Sequence, residues 1–403
     1  VSQASDACAL PPAMTEAIIR RIDALGDTLL RVSHDIHAHP ELAFQEHHAA
    51  ALLCETLESQ GFESERGVFT LETAFEARIA SPQSGPTVAI LAEYDALPGI
   101  GHACGHNLIA TAALGATLGL SAVAGQLPGT VRLLGTPAEE KGGGKELMAR
   151  AGAFDGVDAA MMIHPAGVNL TTMPCICVAE VEVVYHGRSA HASAMPHKGV
   201  NALDGLLLAY QAISNLRQHI RDEERIHGIV TEGGQAPNIV PDRAAGLFYV
   251  RAATERALTA LKPRVQACFE AGARGSGAEV EVIWAGVDYL DLNTNWPLAE
   301  RFQAHGESLG RKFLSPGELG GAGSTDMGNV SYRVPSIHPM LACSPPNVVI
   351  HNPEFAKWAG SEMGDAAALD GAKAMALTTA EFLLDPAFQA RVQQAFDVSR
   401  GLV

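Results

Sequence analysis

The chain has 403 residues, enough for two domains, and at 47% hydrophobic and 18% charged it can bury a sizeable core, which excludes a disordered chain. Its formal net charge is −17 with no Lys/Arg run, which excludes nucleic acid and an anionic membrane as expected partners. Seven cysteines, at 8, 54, 104, 175, 177, 268 and 343, form an odd, scattered set that reads as the reduced thiols of a cytoplasmic protein. No basic segment followed by an apolar core opens the chain, and no stretch approaches about 18 uninterrupted apolar residues, so a soluble chain without a membrane span is expected.

Residues 14–36 and 45–60 carry the helical spacing of Ile, Leu and Ala, the second stopping at Gly61. Thr87–Ala92 reads as a short buried strand that runs into Glu93-Tyr94-Asp95, and Leu108–Leu120 as a helix of small residues. Thr130–Thr136 is a second apolar strand, followed by Pro137-Ala138-Glu139-Glu140. Asp158–Ile163 is a third, ending at His164. Strands alternating with helices predict an α/β fold with a largely parallel sheet. Each polar cluster then lies just past the C-terminal end of a strand, the edge of an open α/β sheet where ligands bind.

The pattern changes at about residue 179. Val181–Tyr185, Ile226–Glu232, Ala244–Val250 and Glu279–Trp284 read as strands, Val200–His219 and Glu255–Ala273 as helices. The order β-α-β-β-α-β predicts a small two-layer ferredoxin-like α+β domain with both helices on one face. It is inserted into the first domain, dividing the chain into 1–178, 179–287 and 288–403, the last closing with a long helix over Glu362–Leu384. Ser315–Ser324, rich in Gly, reads as a functional loop and not a linker. Cys175-Ile176-Cys177, inside an apolar segment, reads as a strand with two ordinary cysteines.

The run His102-Ala103-Cys104-Gly105-His106-Asn107 places a thiol and an imidazole one glycine apart. That is too tight for a zinc-finger pair, which leaves two to four residues between ligands, and it suggests part of an open catalytic metal site. Glu139-Glu140, before Gly142-Gly143-Gly144, can supply both an anionic ligand and a separate carboxylate to take a proton from water. An acidic loop or the first turn of a helix gives the same letters. His164-Pro165, His351 in His351-Asn352-Pro353-Glu354-Phe355, and His37 and His39 in Asp35-Ile36-His37-Ala38-His39-Pro40-Glu41 are each weak when taken singly. Composition does not rank the sixteen histidines.

Taken together, His102–Asn107, Glu139-Glu140, His164, Gly187-Arg188-Ser189-Ala190-His191-Ala192 and the His351 motif resemble the aminoacylase/carboxypeptidase family of dinuclear metallopeptidases. The nearest branch is the one holding auxin-conjugate hydrolases, aminobenzoyl-glutamate hydrolase and β-alanyl dipeptidases. The resemblance runs from about Asp35 to the C-terminal helix. It implies a zinc-peptidase-type catalytic domain whose inserted domain is a lid that also makes a homodimer. It further implies two divalent ions per subunit, zinc first with manganese or cobalt as alternatives, held by Cys104, His106, Glu140, His164 and His351, Cys104 bridging. Glu139 matches the general base and Asp95 the acid that orients a ligand. His191 matches a lid histidine that reaches the neighbouring subunit's site and stabilises the oxyanion. Asn238 and Arg251 match positions that hold a substrate carboxylate. Gly323–Ser331 resembles the dipeptidase-like and aminobenzoyl-glutamate members, with Ser324 and Thr325 able to line the pocket.

Two positions depart from the auxin-conjugate members, which usually carry Asp where Asn107 and Glu93 stand; neither is a metal ligand in this reading. His37 and His39 belong to a recurrent family element and are assigned to structural support. The implied activity is hydrolysis of the amide bond of an N-acyl amino acid, a dipeptide or an aminobenzoyl-glutamate-like compound. A deaminase-type C–N hydrolase on the same scaffold is the alternative. A metal-bound binding protein that has lost catalysis, or a structural zinc protein, is disfavoured because no expected ligand or acid is missing and the acid pair sits at a strand end.

Overall fold

The computed structural model describes residues 10–314 and 323–401. These form two compact units, one from residues up to 174 and from 292 onward, the other Cys175–Asp291. The Ser315–Ser324 loop, apart from its last two residues, lies outside the described residues, as does Cys8.

The first unit is built on a six-stranded sheet ordered Ser64–Arg66, Phe75–Ala80, Thr130–Gly135, Thr87–Ala92, Ala159–Met161, Ser336–Ile337. The last four run parallel and Phe75–Ala80 runs antiparallel to both of its neighbours, a mixed and largely parallel sheet. Thr87–Ala92 pairs with Thr130–Gly135 from Thr87↔Thr130 to Ala92↔Gly135, so both strands end level and deliver their following residues to one edge. Both faces of the sheet are covered, which is why the strands read as unbroken apolar runs. Val88 and Ile90 pack into one core, Ala89 and Leu91 into another that includes Met148 and Met327.

Small residues decide how the helices approach the sheet. The helix His106–Leu120 is buried at every position and contacts Pro12–Ala24, Gly26–Ala38 and Glu362–Leu384. A Cβ added at Gly115 would lie 2.9 Å from the Ala372 Cβ and 3.1 Å from Leu29, so the close approach needs glycine. The stretch His106–Gln126 is long and apolar enough to cross a membrane by composition, yet 78% of its apolar window is buried inside the unit, as for a core helix.

Two expectations change in detail. The helix over 14–36 is two helices, Pro12–Ala24 and Gly26–Ala38, broken at Leu25 beside a glycine, the poorest helix former after proline. The third strand is also two: Ala159–Met161 stays in the main sheet, whereas His164–Ala166 joins a second sheet ordered Phe313–Leu314, Asn169–Leu170, Met340–Ala342, His164–Ala166. His164 therefore starts a strand instead of following one, its register fixed by Met340.

The second unit has the β-α-β-β-α-β order: Cys177–His186, Ala202–Leu216, Arg225–Glu232, Arg243–Ala252, Glu255–Ser276, Glu279–Trp284. Its antiparallel sheet is ordered Glu279–Trp284, Cys177–His186, Arg243–Ala252, Arg225–Glu232. Val181, Val183, Tyr185, Phe248 and Val250 share one core with Leu206, Ile213, Val265 and Phe269 of the two helices. This is the ferredoxin-like α+β arrangement.

Candidate active site

The site is assembled at the C-terminal edge of the parallel strands. Beyond Thr87–Ala92 the chain stays extended, so Glu93 and Asp95 share one face while Tyr94 turns to the other. There the buried Tyr94 hydroxyl donates to the Thr73 carbonyl at 2.6 Å. Beyond Thr130–Gly135 the backbone turns sharply. Ala138 takes a left-handed φ of 61°, a conformation that costs an L-residue of this kind roughly 1–2 kcal/mol. Buried Glu46 holds the turn: its Oε1 accepts from the N–H of Ala138 (2.9 Å) and of Phe44 (3.0 Å), and its Oε2 from the Thr73 hydroxyl (2.8 Å). A Cβ at Gly144 would lie 1.8 Å from the Pro137 carbonyl oxygen, so only glycine lets the chain close behind the acid pair. Glu140 is anchored by its own N–H, which donates to Asp95 Oδ2 at 2.9 Å.

Gly105, at φ 80°, lets the Cys104 loop turn directly into the helix that opens at His106. His351, itself at φ 64°, donates its N–H to the Ala103 carbonyl at 2.8 Å and so is tied to the same loop. The imidazoles of His106 and His164 are each oriented by a hydrogen bond at the inner nitrogen. His106 Nδ1 lies 3.0 Å from Asp95 Oδ1, and His164 Nδ1 lies 2.7 Å from the Pro165 carbonyl oxygen. Both partners only accept, so Nδ1 of each ring donates and Nε2 is the nitrogen presented outward, the pattern of metal-binding histidines. His164 Nε2 is 3.4 Å from Cys104 Sγ, and His351 Nε2 is 3.5 Å from Glu140 Oε1.

The ligand atoms fall into two sets of three, Cys104/His106/His164 and Cys104/Glu140/His351, each within 4.8 Å of one another and sharing Cys104. Among the described residues, His106 Nε2 and Glu140 Oε1 are buried with no hydrogen-bond partner. Orphaned, converging N, O and S donors are the chemistry a pair of divalent cations satisfies, so the residues present fit such ions. Electrostatics agrees. Burial, Glu93 and Glu140 push the Glu139 carboxyl well up, and burial together with Glu140 pushes the Cys104 thiol up. Burial opposes protonation of His106, yet Asp95, Cys104 and Glu93 together raise it well above the usual range. Burial lowers His164 to about 4. The pocket carries an excess of negative groups that cations would relieve.

Thr325 is buried and its hydroxyl accepts from the Met327 N–H at 3.1 Å, starting the short helix Met327–Ser331; Ser324 beside it is half-buried. Asn107 ties the helix His106–Leu120 to its surroundings, donating to Ser33 Oγ (3.0 Å) and the Ala359 carbonyl (2.9 Å). His37 donates to the Ala356 carbonyl, and His39 joins an exposed group with Asp35 and His48.

Several buried polar groups at the site have no local sequence signal. The Lys145 ammonium, fully buried, pairs with Glu93 and with Asp326 Oδ1 (2.8 Å). His338 packs edge-on against His164, with ring centroids 5.3 Å apart, and burial drives its pKa well down. Burial likewise lowers His102 to about 3. Lys145 stands between Gly144 and Glu146 in a charged, Gly-rich run, so nothing local marks it as buried.

In the second unit, exposed His191 bridges to Ile239, and the Ala192 N–H donates to the Asn238 carbonyl at 3.0 Å, so His191 and Asn238 sit on adjacent segments. His191 Nδ1 accepts from the N–H of Ala194 (3.2 Å) and Ser193 (3.4 Å), which leaves the proton on Nε2. Arg251 is placed differently. These segments continue from the His186 and Arg243 end of the sheet, whereas Arg251 pairs with Val178 eight residues further along, about 26 Å at ~3.3 Å per residue. Its Nε is 3.3 Å from His227 Nε2. One copy of the unit does not bring Arg251 together with its own Asn238 and His191.

Residues 89–378 match the peptidase family M20/M25/M40. The chain is 40% identical over 390 residues to the Xaa-Arg dipeptidase of Mus musculus, covering 93% of this chain and 90% of that protein. It is 30% identical to one of the subunits of p-aminobenzoyl-glutamate hydrolase from Escherichia coli (strain K12), covering 90% of each. A solved dinuclear metal-binding peptidase of the M20 family from Bacillus subtilis shares the fold, with a TM-score of 0.65 at 23% identity over 89% of this chain and 99% of that one.

Proposed function

Because the chain belongs to peptidase family M20/M25/M40 and is a metal-dependent amidohydrolase, we propose that it is a dipeptidase-type hydrolase with Glu139 as its general base. The observation that carries this reading is the pair of ligand sets sharing Cys104, with the acidic Glu139 adjoining them: Glu139 Oε2 lies 3.9 Å from His106 Nε2. Cys104, His106, Glu140, His164 and His351 would hold two divalent ions, zinc first, with manganese or cobalt as alternatives. When bound, such ions supply Lewis-acid activation of water and of the scissile carbonyl. Glu139, whose pKa burial and its acidic neighbours raise, takes the proton of the attacking water and later delivers it to the leaving amine. Asp95 holds His106 in the tautomer that leaves Nε2 free.

Substrate binding falls to the inserted unit, which we assign as lid and dimerisation domain. The His191 Nε2–H is a donor suited to the developing oxyanion, and Asn238 and Arg251 are suited to a free carboxylate. Their separation within one copy supports a homodimer in which His191 and Asn238 act on the neighbouring subunit's site. Exposed apolar residues supply a surface for it: Leu207 and Leu208 on the helix Ala202–Leu216, and Ile229 and Val230 on the edge strand Arg225–Glu232. Ser324 and Thr325 would stand near the substrate side of the first unit. Cys54, Cys104, Cys177, Cys268 and Cys343, all free thiols among the described residues, support a reducing, cytoplasmic setting.

Among substrates, the mouse Xaa-Arg dipeptidase, similar over nine-tenths of both chains, favours dipeptides, those with a basic C-terminal residue first. The test is metal content measured together with hydrolysis of a panel: Xaa-Arg and β-alanyl dipeptides, N-acetyl amino acids and aminobenzoyl-glutamate. Dipeptide cleavage by protein carrying two ions per subunit is expected. Cleavage confined to N-acetyl amino acids or to aminobenzoyl-glutamate would move the substrate class, and turnover unaffected by chelation would overturn the metal reading.

A further inference from the structure

Glu93 is the carboxylate that the five-ligand assignment leaves out, and its surroundings are unlike those of an ordinary buried acid. One oxygen, Oε1, is taken by the Lys145 ammonium. The other, Oε2, lies 3.4 Å from His106 Nε2, and among the described residues neither of these two buried atoms has a hydrogen-bond partner. Glu93, His106 and Glu139 also form a ligand set of their own, with atoms within 4.8 Å of one another. A separation near 3.4 Å is what two ligands on one tetrahedral ion adopt when each is about 2.0–2.2 Å from it.

Lys145 is fixed from its far side. Its ammonium donates to Asp326 Oδ1 and its backbone N–H to Asp326 Oδ2, each at 2.8 Å, so both oxygens of that carboxylate are committed to one residue. Glu93, Lys145 and Asp326 are 1%, 0% and 0% exposed. Burial alone would push the lysine toward neutrality, but Asp326 and Glu93 hold its ammonium above the ordinary range. A Lys145–Asp326 pair would by itself satisfy both charges. Adding Glu93, with its second oxygen buried 3.4 Å from His106 Nε2 and not hydrogen-bonded, is costly unless that oxygen also gains a partner. A ligating carboxylate is commonly hydrogen-bonded through its other oxygen, which is the role the ammonium fills.

We propose that Glu93 is a further metal ligand on the His106 side of the site, and that Lys145, anchored by Asp326, is the residue that positions it. This rests on the metal-dependent reading above. It also gives the Gly323-Ser324-Thr325-Asp326 stretch a second use: its aspartate braces the metal-facing acid through Lys145.

The test is titration of the metal-stripped, full-length protein with Co²⁺, following stoichiometry, affinity and the d–d absorption of the bound ion. Wild type is expected to take two ions per subunit. Glu93→Gln, which keeps the shape and an acceptor for Lys145, is expected to weaken one ion about 10–100-fold and change its spectrum, the other ion unmoved. Lys145→Met and Asp326→Asn should shift the same ion in the same direction, with hydrolysis restored by excess metal. If Lys145→Met does not fold, Asp326→Asn carries the positioning half. A Glu93→Gln protein that binds both ions with wild-type affinity and spectrum overturns the ligand assignment. Asp326→Asn with a lowered Tm and unchanged metal binding marks the lysine pair as structural only. Were wild type to bind no divalent ion, the metal-dependent reading itself would fall, an outcome distinct from either of these.

Discussion

The two units hold their functional groups by opposite means. In the first, Glu93, Asp95 and His106 are buried, and each is fixed by a second charged or polar group that is buried with it. In the second, His191 and Asn238 are exposed and are fixed by backbone hydrogen bonds of two neighbouring segments. A buried site is preorganised at the cost of desolvation and backbone strain, which suits groups that move protons and hold cations. An exposed pair on short backbone supports suits groups that must meet a substrate, or a second subunit, after binding. The contrast predicts that damage in the first unit stops chemistry, whereas damage in the second changes how substrate is held.

The largest effect should come from the first unit. Glu139→Gln removes the proton acceptor and leaves the shape, so kcat should fall about 10²–10⁴-fold with metal content unchanged. A variant retaining near-wild-type kcat would displace Glu139 from its role. Next is His191→Ala, expected to lower kcat about 10²–10³-fold through loss of an oxyanion donor. Mixing the two inactive proteins sharpens the comparison. If the lid acts on the neighbouring subunit, each mixed dimer has one intact site, and random exchange should restore about a quarter of wild-type activity. No recovery despite subunit exchange would place His191 in its own subunit's site. Arg251→Ala should be smaller again, about 10–100-fold and mostly in KM, as for the loss of a charge-assisted hydrogen bond to substrate.

The same contrast explains what could be read before the fold was known. Thr87–Ala92 and Thr130–Gly135 are legible because a strand covered on both faces is a short apolar run, and its polar successors announce the ligand edge. The inserted unit is legible because its alternating strands and amphipathic helices each carry their period locally. His164 as the first residue of a strand was not, since its register is set by Met340, far along the chain. Glu46, Lys145 and Asp326 were not either. Their meaning lies in partners up to 181 residues away, and an isolated acid or lysine in sequence says nothing about what is buried beside it. Arg251 was legible as a residue type, but its distance from Asn238 follows from strand length and pairing, which motifs do not encode.

The smallest expected effects compare the supports themselves, with the functional residues left in place. Glu46→Ala strips the acceptor from the Ala138 and Phe44 N–H groups beneath a left-handed residue. Each buried donor left unpaired costs about 1–3 kcal/mol, so chemical denaturation should register a loss of that order, with kcat falling as Glu139 and Glu140 lose their fixed turn. Ser193→Ala removes a hydroxyl 3.2 Å from His191 Nδ1 on an exposed segment where water can replace it and two N–H groups remain. Its effect on kcat should stay under about fivefold, with stability unchanged. If Ser193→Ala instead matched Glu46→Ala, the exposed pair would depend on side-chain support as heavily as the buried site does. The division of labour between the units would then rest on position in the fold and not on burial.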